Sequence, residues 1–331
     1  MQDNNTQKVV LIGCEDYSEH RIASAIERIF EELGGMEKFV KRGDSVLLKP
    51  NFIVPCSRRQ AAQTDPAIII EVARLLKDFG AKPFVADSTA WGSVFECVKK
   101  LKLDKPLKKL SVPVKQLNKP KTCYLGPGKI KIPISSVALD ADVIINLPKF
   151  KTHQQLVATF AVKNMFGCVA GKRKAYLHFS KGKIEKEFCE MLIEIYKFLS
   201  PALTIIDGVI AMDGPGPIRG RARPLGWIIA GAEPIACEII CAKLVNFNAD
   251  ELPIVKAAKQ INFGCSNPGK ITLLGDGFPR STCLDFEPAK LIPIRFSLLR
   301  VCRSTAKQIY LLLKQLLKKI RTLLRNNFLL F

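Results

Sequence analysis

An α/β fold is what this sequence predicts: a mainly parallel, twisted sheet with helices on both faces, followed by a C-terminal amphipathic helix. Three observations carry that reading. Short apolar, β-rich runs alternate with amphipathic helical stretches, the pattern of parallel strands joined by helical crossovers. Four of those runs end in polar or charged residues. From Pro288 onward there are ten basic residues and no acidic one, which divides the chain into an α/β domain, residues 1–287, and a basic helical tail, residues 288–331.

In chain order, "KVVLIG", "SVLLKPN", "KPFVADS", "DVIINLPK", "LTIIDG", "GWIIAG" and "KITLLGDG" read as strands. "HRIASAIERIFEELGGMEKFV" and "DPAIIIEVARLLKDFGA" have helical periodicity, and the second ends in a glycine stop signal. "LGPGKIKIPIS" reads as an irregular or hairpin excursion. "QQLVATFAVKNMFG", residues 154–167, reads as a helix of three or more turns closed near Gly167. There is no internal repeat and no low-complexity linker within residues 1–285.

With 331 residues, 48% of them hydrophobic, the chain can bury a full core. Its 51 Lys and Arg against 30 Asp and Glu leave a formal charge of +21, which draws anionic partners. Eleven scattered cysteines, an odd number without a C-x-x-C, argue against a disulfide framework. The N-terminus shows no charged-then-apolar signal segment, so the expected compartment is the cytoplasm. Cys237 and Cys241 sit four apart in "EPIACEIICAKL", the spacing of buried thiols on one helix face.

The strand ends suggest a site. Lys49 and Asn51, Asp87 and Ser88, Asn146 and Lys149, and Asp207 each close an apolar run. In an open parallel sheet the carboxyl ends of the strands border the ligand crevice, so these residues are expected along one edge. After Asn146, "LPKFKTH" brings Lys149, Lys151, Thr152 and His153 to the expected start of the next helix. That helix would carry Thr159 and Lys163 on one face. Lysines and a histidine beside a helix N-terminus suit a small anion, with Asn164 giving direction through its amide. Solvated lysines on a surface loop would produce the same pattern.

"DGVIAMDGPGPIRGRARPLG" follows Asp207 and carries Asp213, Gly214 and Gly216. Its glycines allow close backbone approach to a ligand. It is neither a Walker loop nor a G-x-G-x-x-G entering a helix, and a rigid turn at the sheet edge explains it equally well. Asp87, Asp207 and Asp213 are candidates to hold a divalent cation. Paired with the lysines, the same carboxylates could instead tune Lys149, Lys151 or Lys163 towards general-base work.

In order along the chain, "LLKPN", "TDP", "LLKDFGAKPFVADS", "NLPKFKTH", "AVKNMFG" and "DGVIAMDGPGP" resemble the DUF362 family, an uncharacterised family often found in bacteria and archaea. The K-x-K-T-H and K-N-x-x-G elements are the most specific part. The resemblance implies an α/β fold, and several family members carry a ferredoxin-like iron–sulfur module. No C-x-x-C-x-x-C occurs here, so no iron–sulfur motif is present, and the cofactor is left unassigned. Where the family has D-P-x-x-x-D this chain has "EPIACE", with Glu233 and Glu238 as its acids. A looser similarity, in T-x-P, helix, G-A and strand, links the N-terminal half to the lactate racemase-like family and carries no reaction over.

The expected function is that of a DUF362-like enzyme acting on a small anionic metabolite, carboxylated or phosphorylated. Lys149, Lys151, His153, Lys163 and Asp207 are its candidate catalytic residues. Lys49, Asn51, Asp87, Asn146, Thr152, Asn164, Asp213, Gly214 and Gly216 are its candidate binding residues. The alternative is a non-catalytic ligand-binding or assembly protein docked on membranes through its tail. In the tail, Ile309, Leu312, Leu313, Leu316, Leu317, Ile320, Leu323 and Leu324 form one stripe, with Lys314, Lys318, Arg321 and Arg325 towards the other side. It is too charged to span a bilayer but suits a helix lying on an anionic membrane, through residues 304–331, at the inner face. Docking on its own domain or a partner fits nearly as well. Nucleic acid is disfavoured by the leucine density.

Overall fold

A computed structural model describes residues 6–171, 173–279, 283, 285–295, 306, 310 and 313. The strands are β1 (Gln7–Gly13), β2 (Ser45–Pro50), β3 (Lys82–Asp87), β4 (Val114–Gln116), β5 (Pro120–Leu125), β6 (Ile130–Ser135), β7 (Val143–Leu147), β8 (Lys149–His153), β9 (Val157–Thr159), β10 (Leu203–Asp213), β11 (Arg221–Gly231) and β12 (Ile271–Gly275). Ten of them form one sheet in the order β12-β1-β11-β10-β7-β2-β3-β4, with β8 beside β10 and β9 beside β8. β5 and β6 make a separate hairpin, which is the excursion expected around residues 125–135. The expected tail helix lies outside the described residues except for Ala306, Tyr310 and Leu313.

The sheet is mainly parallel because most strands are linked through helices. β10 pairs parallel with β7, β7 with β2, β2 with β3 and β3 with β4. β11 is the exception, antiparallel to both β10 and β1. Residues 214–220 are too few for a helical crossover, so the chain can only return as a hairpin. Because β11 reverses twice over, β1 runs in the same direction as β10.

Alternating strand residues bury two layers. Val10, Ile12, Val46 and Leu48 face the helices Glu19–Glu32 and Pro66–Phe79 through Ile22, Ile26, Ile68 and Val72. Val9, Leu11 and Leu47 face the helices Glu185–Leu199 and Pro234–Leu244. This is the period-two alternation of a sheet covered on both sides. The helix Pro66–Phe79 starts where its sequence requires: Asp65 accepts from the Ala67 N–H, Pro66 takes the first turn, and Gly80 at φ +94° ends it. Cys237 and Cys241 are fully buried, as their spacing implied.

One expected element is corrected. Residues 154–167 are not one helix: β8 turns back antiparallel into β9, and only Ala161–Asn164 is α-helical before a 3-10 turn, Met165–Cys168. Thr159 pairs with Lys151 on the neighbouring strand instead of sharing a helix face with Lys163. His153 ends a strand and does not stand at the start of the helix expected there. Val157, at φ +62°, Ala158 and Thr159 pair with β8 in a ladder that extends the sheet, and this long-range pairing overrides the apolar spacing. No helix among the described residues is long and apolar enough to cross a membrane.

Candidate functional site

Parallel strands deliver their ends to one edge, and the register shows it. Lys49 pairs with Asn146, Asn146 with Thr204, and Asp207 with Lys149. Asp87 ends β3 beside them. All of these residues are buried: Lys49, Asn146 and Asp207 are at 0% exposure, and Asp87 and Lys149 at 2%.

Two ion pairs and an amide chain organise this edge. Lys49 Nζ lies 2.8 Å from Asp87 Oδ1 and donates to the Pro50 carbonyl at 2.7 Å. Lys149 Nζ donates to Asp207 Oδ2 and to the Tyr17 hydroxyl, both at 2.8 Å, while Tyr17 donates to Asp207 Oδ1 at 2.7 Å. The backbone N–H of Asp65 also donates to Asp207, at 2.8 Å. Between the pairs, Asn51 Nδ2 donates to Asn164 Oδ1 and Asn164 Nδ2 to Asn146 Oδ1, each at 2.8 Å. Asn146 Nδ2 donates to the Ala161 carbonyl at 2.9 Å. The chain of amides reaches Lys151, whose Nζ donates to Asn51 Oδ1 at 2.6 Å and to the Ala62 carbonyl at 2.7 Å.

The K-N-x-x-G element now has a physical explanation. Asn164 stitches β2 to β7 by donating to the Lys49 carbonyl as well as to Asn146. Gly167 leaves room for the first ion pair, since a Cβ there would lie 2.6 Å from both Asp87 Oδ1 and Lys49 Nζ. Lys163 precedes Asn164 in the same short helix. It is half-buried with its Nζ 4.3 Å from the centre of the Phe166 ring.

Three lysines at this edge have no carboxylate within ion-pair distance among the described residues: Lys151, Lys163 and Lys174. Burial pulls the pKa of Lys151 down to about 7, although the field of the Cys56 thiol opposes it. Burial and the charge of Lys174 take Lys163 to about 7. Burial takes Lys174, which donates to the Ser88 carbonyl, to about 8. Of the three only Lys151 is fully buried, where an uncompensated cation is costly; Lys163 and Lys174 are half-buried. An anion beside them would relieve that cost.

Several expected roles change. Burial holds His153 neutral, well below the usual imidazole range, and its Nδ1 accepts from the Gln155 N–H at 3.1 Å; it brings no charge to an anion. Asp87, Asp207 and Asp213 do not form a cation site. Each is committed to cations of its own, Asp213 to Arg221 at 3.1 Å and Arg223 at 3.4 Å. Among the described residues no three His, Cys, Asp or Glu side chains come together to hold a metal ion. Thr152 donates to the Gly214 carbonyl at 2.9 Å, and a Cβ on Gly216 would meet the Thr152 carbonyl at 2.1 Å. The glycine loop therefore packs on the back of β8. Glu233 caps its helix through the Ile235 and Ala236 N–H groups. Glu238 accepts from the Val162 N–H at 3.0 Å and fixes the turn that carries Lys163, while burial raises its pKa to about 8.

A cavity of about 400 Å³ opens beside Lys149, lined by Tyr17, Arg58, Arg59, Gln63 and Asp65 among others. The strand-end pattern missed these residues. The direction of β1 was the missing signal, because it delivers "CEDYSEH" to the same edge as β10. Lys151 lies behind the cavity wall, tied to it through Ala62.

Comparison with known proteins gives the family of the chain. The chain is 35% identical over 308 residues to the thylakoid-associated protein sll1697 of Synechocystis sp., covering 92% of this chain and 95% of that protein. Among solved structures, the lactate racemase apoprotein of Thermoanaerobacterium thermosaccharolyticum is similar with a TM-score of 0.47 at 15% identity, covering 75% of this chain. A protein from Thermotoga maritima gives 0.45 at 14% identity, covering 70%. The chain spans 59% and 60% of the length of those two. The model of a family described as a domain of unknown function, DUF362, matches residues 46–243, and the chain belongs to that family.

Proposed function

We propose that this chain is an enzyme acting on a small anionic metabolite at the carboxyl edge of the sheet. The carrying observation is the set of lysines without carboxylates, above all Lys151 and Lys163 with pKa values near 7. An amine poised there can take a proton from a substrate and return it at neutral pH. The Lys49–Asp87 and Lys149–Asp207 pairs hold the frame, and the Asn51–Asn164–Asn146 chain sets the direction of Lys151. An anion favours the protonated lysines, so its binding strengthens as pH falls from 9 to 7. The test is incubation with a cell metabolite extract at pH 7, read by mass spectrometry. The wild type should deplete an anionic species, and Lys163→Ala should abolish that depletion with the circular dichroism spectrum unchanged. If no anion is consumed by the wild type, the enzyme reading fails.

A second reading has one comparison in its favour: the 35% identical relative is named as thylakoid-associated. Residues 304–331 would hold the domain at an anionic membrane, each basic residue near the surface adding about 1 kcal/mol. Residues 292–294 stay with the domain, since the Ile292 N–H donates to the Gln154 carbonyl and Gln155 donates to the Pro293 and Ile294 carbonyls. A chain ending at Arg295 should therefore fold yet fail to co-sediment with anionic vesicles that carry down the whole chain. Added salt should release the whole chain too. Equal sedimentation of the two chains refutes the reading.

A further inference from the structure

We infer that the face formed by the helices Val94–Lys100 and Asp104–Lys109 and the start of β4 docks an acidic segment of a partner protein, one that seats an apolar side chain between the two helices. The face lies at the end of the sheet, because β4 closes the strand order beyond β3. Its charge is one-sided. Residues 94–116 hold seven lysines, no arginine and two acids, Glu96 and Asp104, which leaves five surplus positive charges on this stretch. All seven lysines are exposed, and none has a carboxylate within ion-pair distance among the described residues. Glu96 is engaged in its own helix, where it accepts from the Ser93 N–H at 2.9 Å. A surface of this kind attracts carboxylates.

Shape adds the apolar part. A groove of about 620 Å³ opens on this face, with Asp104 and the lysines Lys99 and Lys108 on its walls. Val98, Leu107 and Val112 line it while nearly buried, so they form its floor, and Phe95 lines it at 55% exposure. A phenylalanine left half in water above an apolar floor and ringed by polar groups has the layout of an interface core and its rim. The groove is preformed: the Val94 N–H donates to the Gln116 side chain at 2.9 Å, and Ser93 and Glu96 close a capping box. Lysine ammoniums attract at range but lack the fork by which arginine fixes a carboxylate or phosphate. Charge therefore brings the partner in, and the groove holds it. A small anion finds no buried donor here. Phosphate backbones would use the lysines and leave the recessed apolar floor unfilled.

The test selects peptides from a displayed random library on the full chain and measures the selected sequences by fluorescence anisotropy. They should carry Asp and Glu on both sides of an apolar residue. Phe95→Ser should weaken them about tenfold, the loss of one apolar anchor at an interface, and leave their salt dependence in place. The double variant Lys99→Glu, Lys108→Glu should weaken them about tenfold or more and flatten the salt dependence. All three positions are exposed, so the fold tolerates the changes, and the basic tail is untouched in each variant. Selection of no peptide, selection of peptides without an acidic bias, or affinities that neither variant changes overturns the inference; the last outcome moves the binding to the tail. Anionic vesicles or double-stranded DNA that bind the wild type and lose that binding with Phe95→Ser would assign the face to lipid or nucleic acid, and overturn it too. The enzyme reading fails separately, since consumption of a metabolite and its loss in Lys163→Ala do not involve this face.

Discussion

Asp207→Ala is expected to destabilise the protein by about 3–5 kcal/mol, the cost of breaking a buried ion pair from one side. Asp207 is fully buried and accepts from Tyr17, Lys149 and the Asp65 N–H. Its loss strands the Lys149 ammonium, whose side chain is 1% exposed. It also removes the acceptor that holds the start of the helix Pro66–Phe79 against β10. Urea unfolding of the two proteins measures the difference. The double variant Lys149→Met, Asp207→Leu should recover most of the loss, since a packed apolar pair of similar volume is often neutral relative to the ions. A single-variant loss below about 1 kcal/mol would place the pair among weak surface bridges instead.

Lys151→Met is expected to gain stability over the wild type, and the gain should depend on pH in a defined direction. The folded pKa of Lys151, about 7, lies below its ordinary 10.5. Between those values the unfolded chain holds a proton that the folded chain lacks, so wild-type stability gains about 1.4 kcal/mol per pH unit from this group. Below pH 7 the folded protein carries the buried charge, at pH 7 half of it, and near pH 10.5 the cost is gone. The advantage of Lys151→Met should therefore be largest at pH 7 and shrink by about 2–3 kcal/mol at pH 9. Buried cysteines such as Cys97 and Cys168, whose thiols burial pushes up, act the opposite way in this range, but they are shared by both proteins and cancel. Denaturant melts at pH 7, 8 and 9 measure it. A constant difference would mean that Lys151 keeps its charge in the fold.

Part of the site was legible because strand ends are local features. "VLLKPN", "FVADS" and "VIINLPK" each show where an apolar run stops, and parallel strands put those stops on one edge. That ground alone brings Lys49, Asp87, Asn146, Lys149 and Asp207 to one edge. Their partners were not legible. Nothing within either strand says that Lys49 faces Asp87 and Lys149 faces Asp207, so the same carboxylates also fitted a cation site that the ion pairs exclude. Tyr17, Arg58, Gln63 and Lys174 come from segments with no periodic signal, and only the fold brings them to the edge.

By itself, the sequence determined the alternation of strands and helices, the caps of Pro66–Phe79, the buried thiols of Pro234–Leu244 and the polar residues at the strand ends. These follow from interactions within a few residues: side-chain period, capping and turn chemistry. The tertiary structure alone decided that residues 154–159 form a hairpin, because the competing helix and strand were separated by the ladder that β8 offers and not by local preference. It also decided which lysines are neutralised and which are left over. A lysine's charge state in the fold depends on its burial and on groups brought near by distant segments, and that information is held in the packing of the sheet edge.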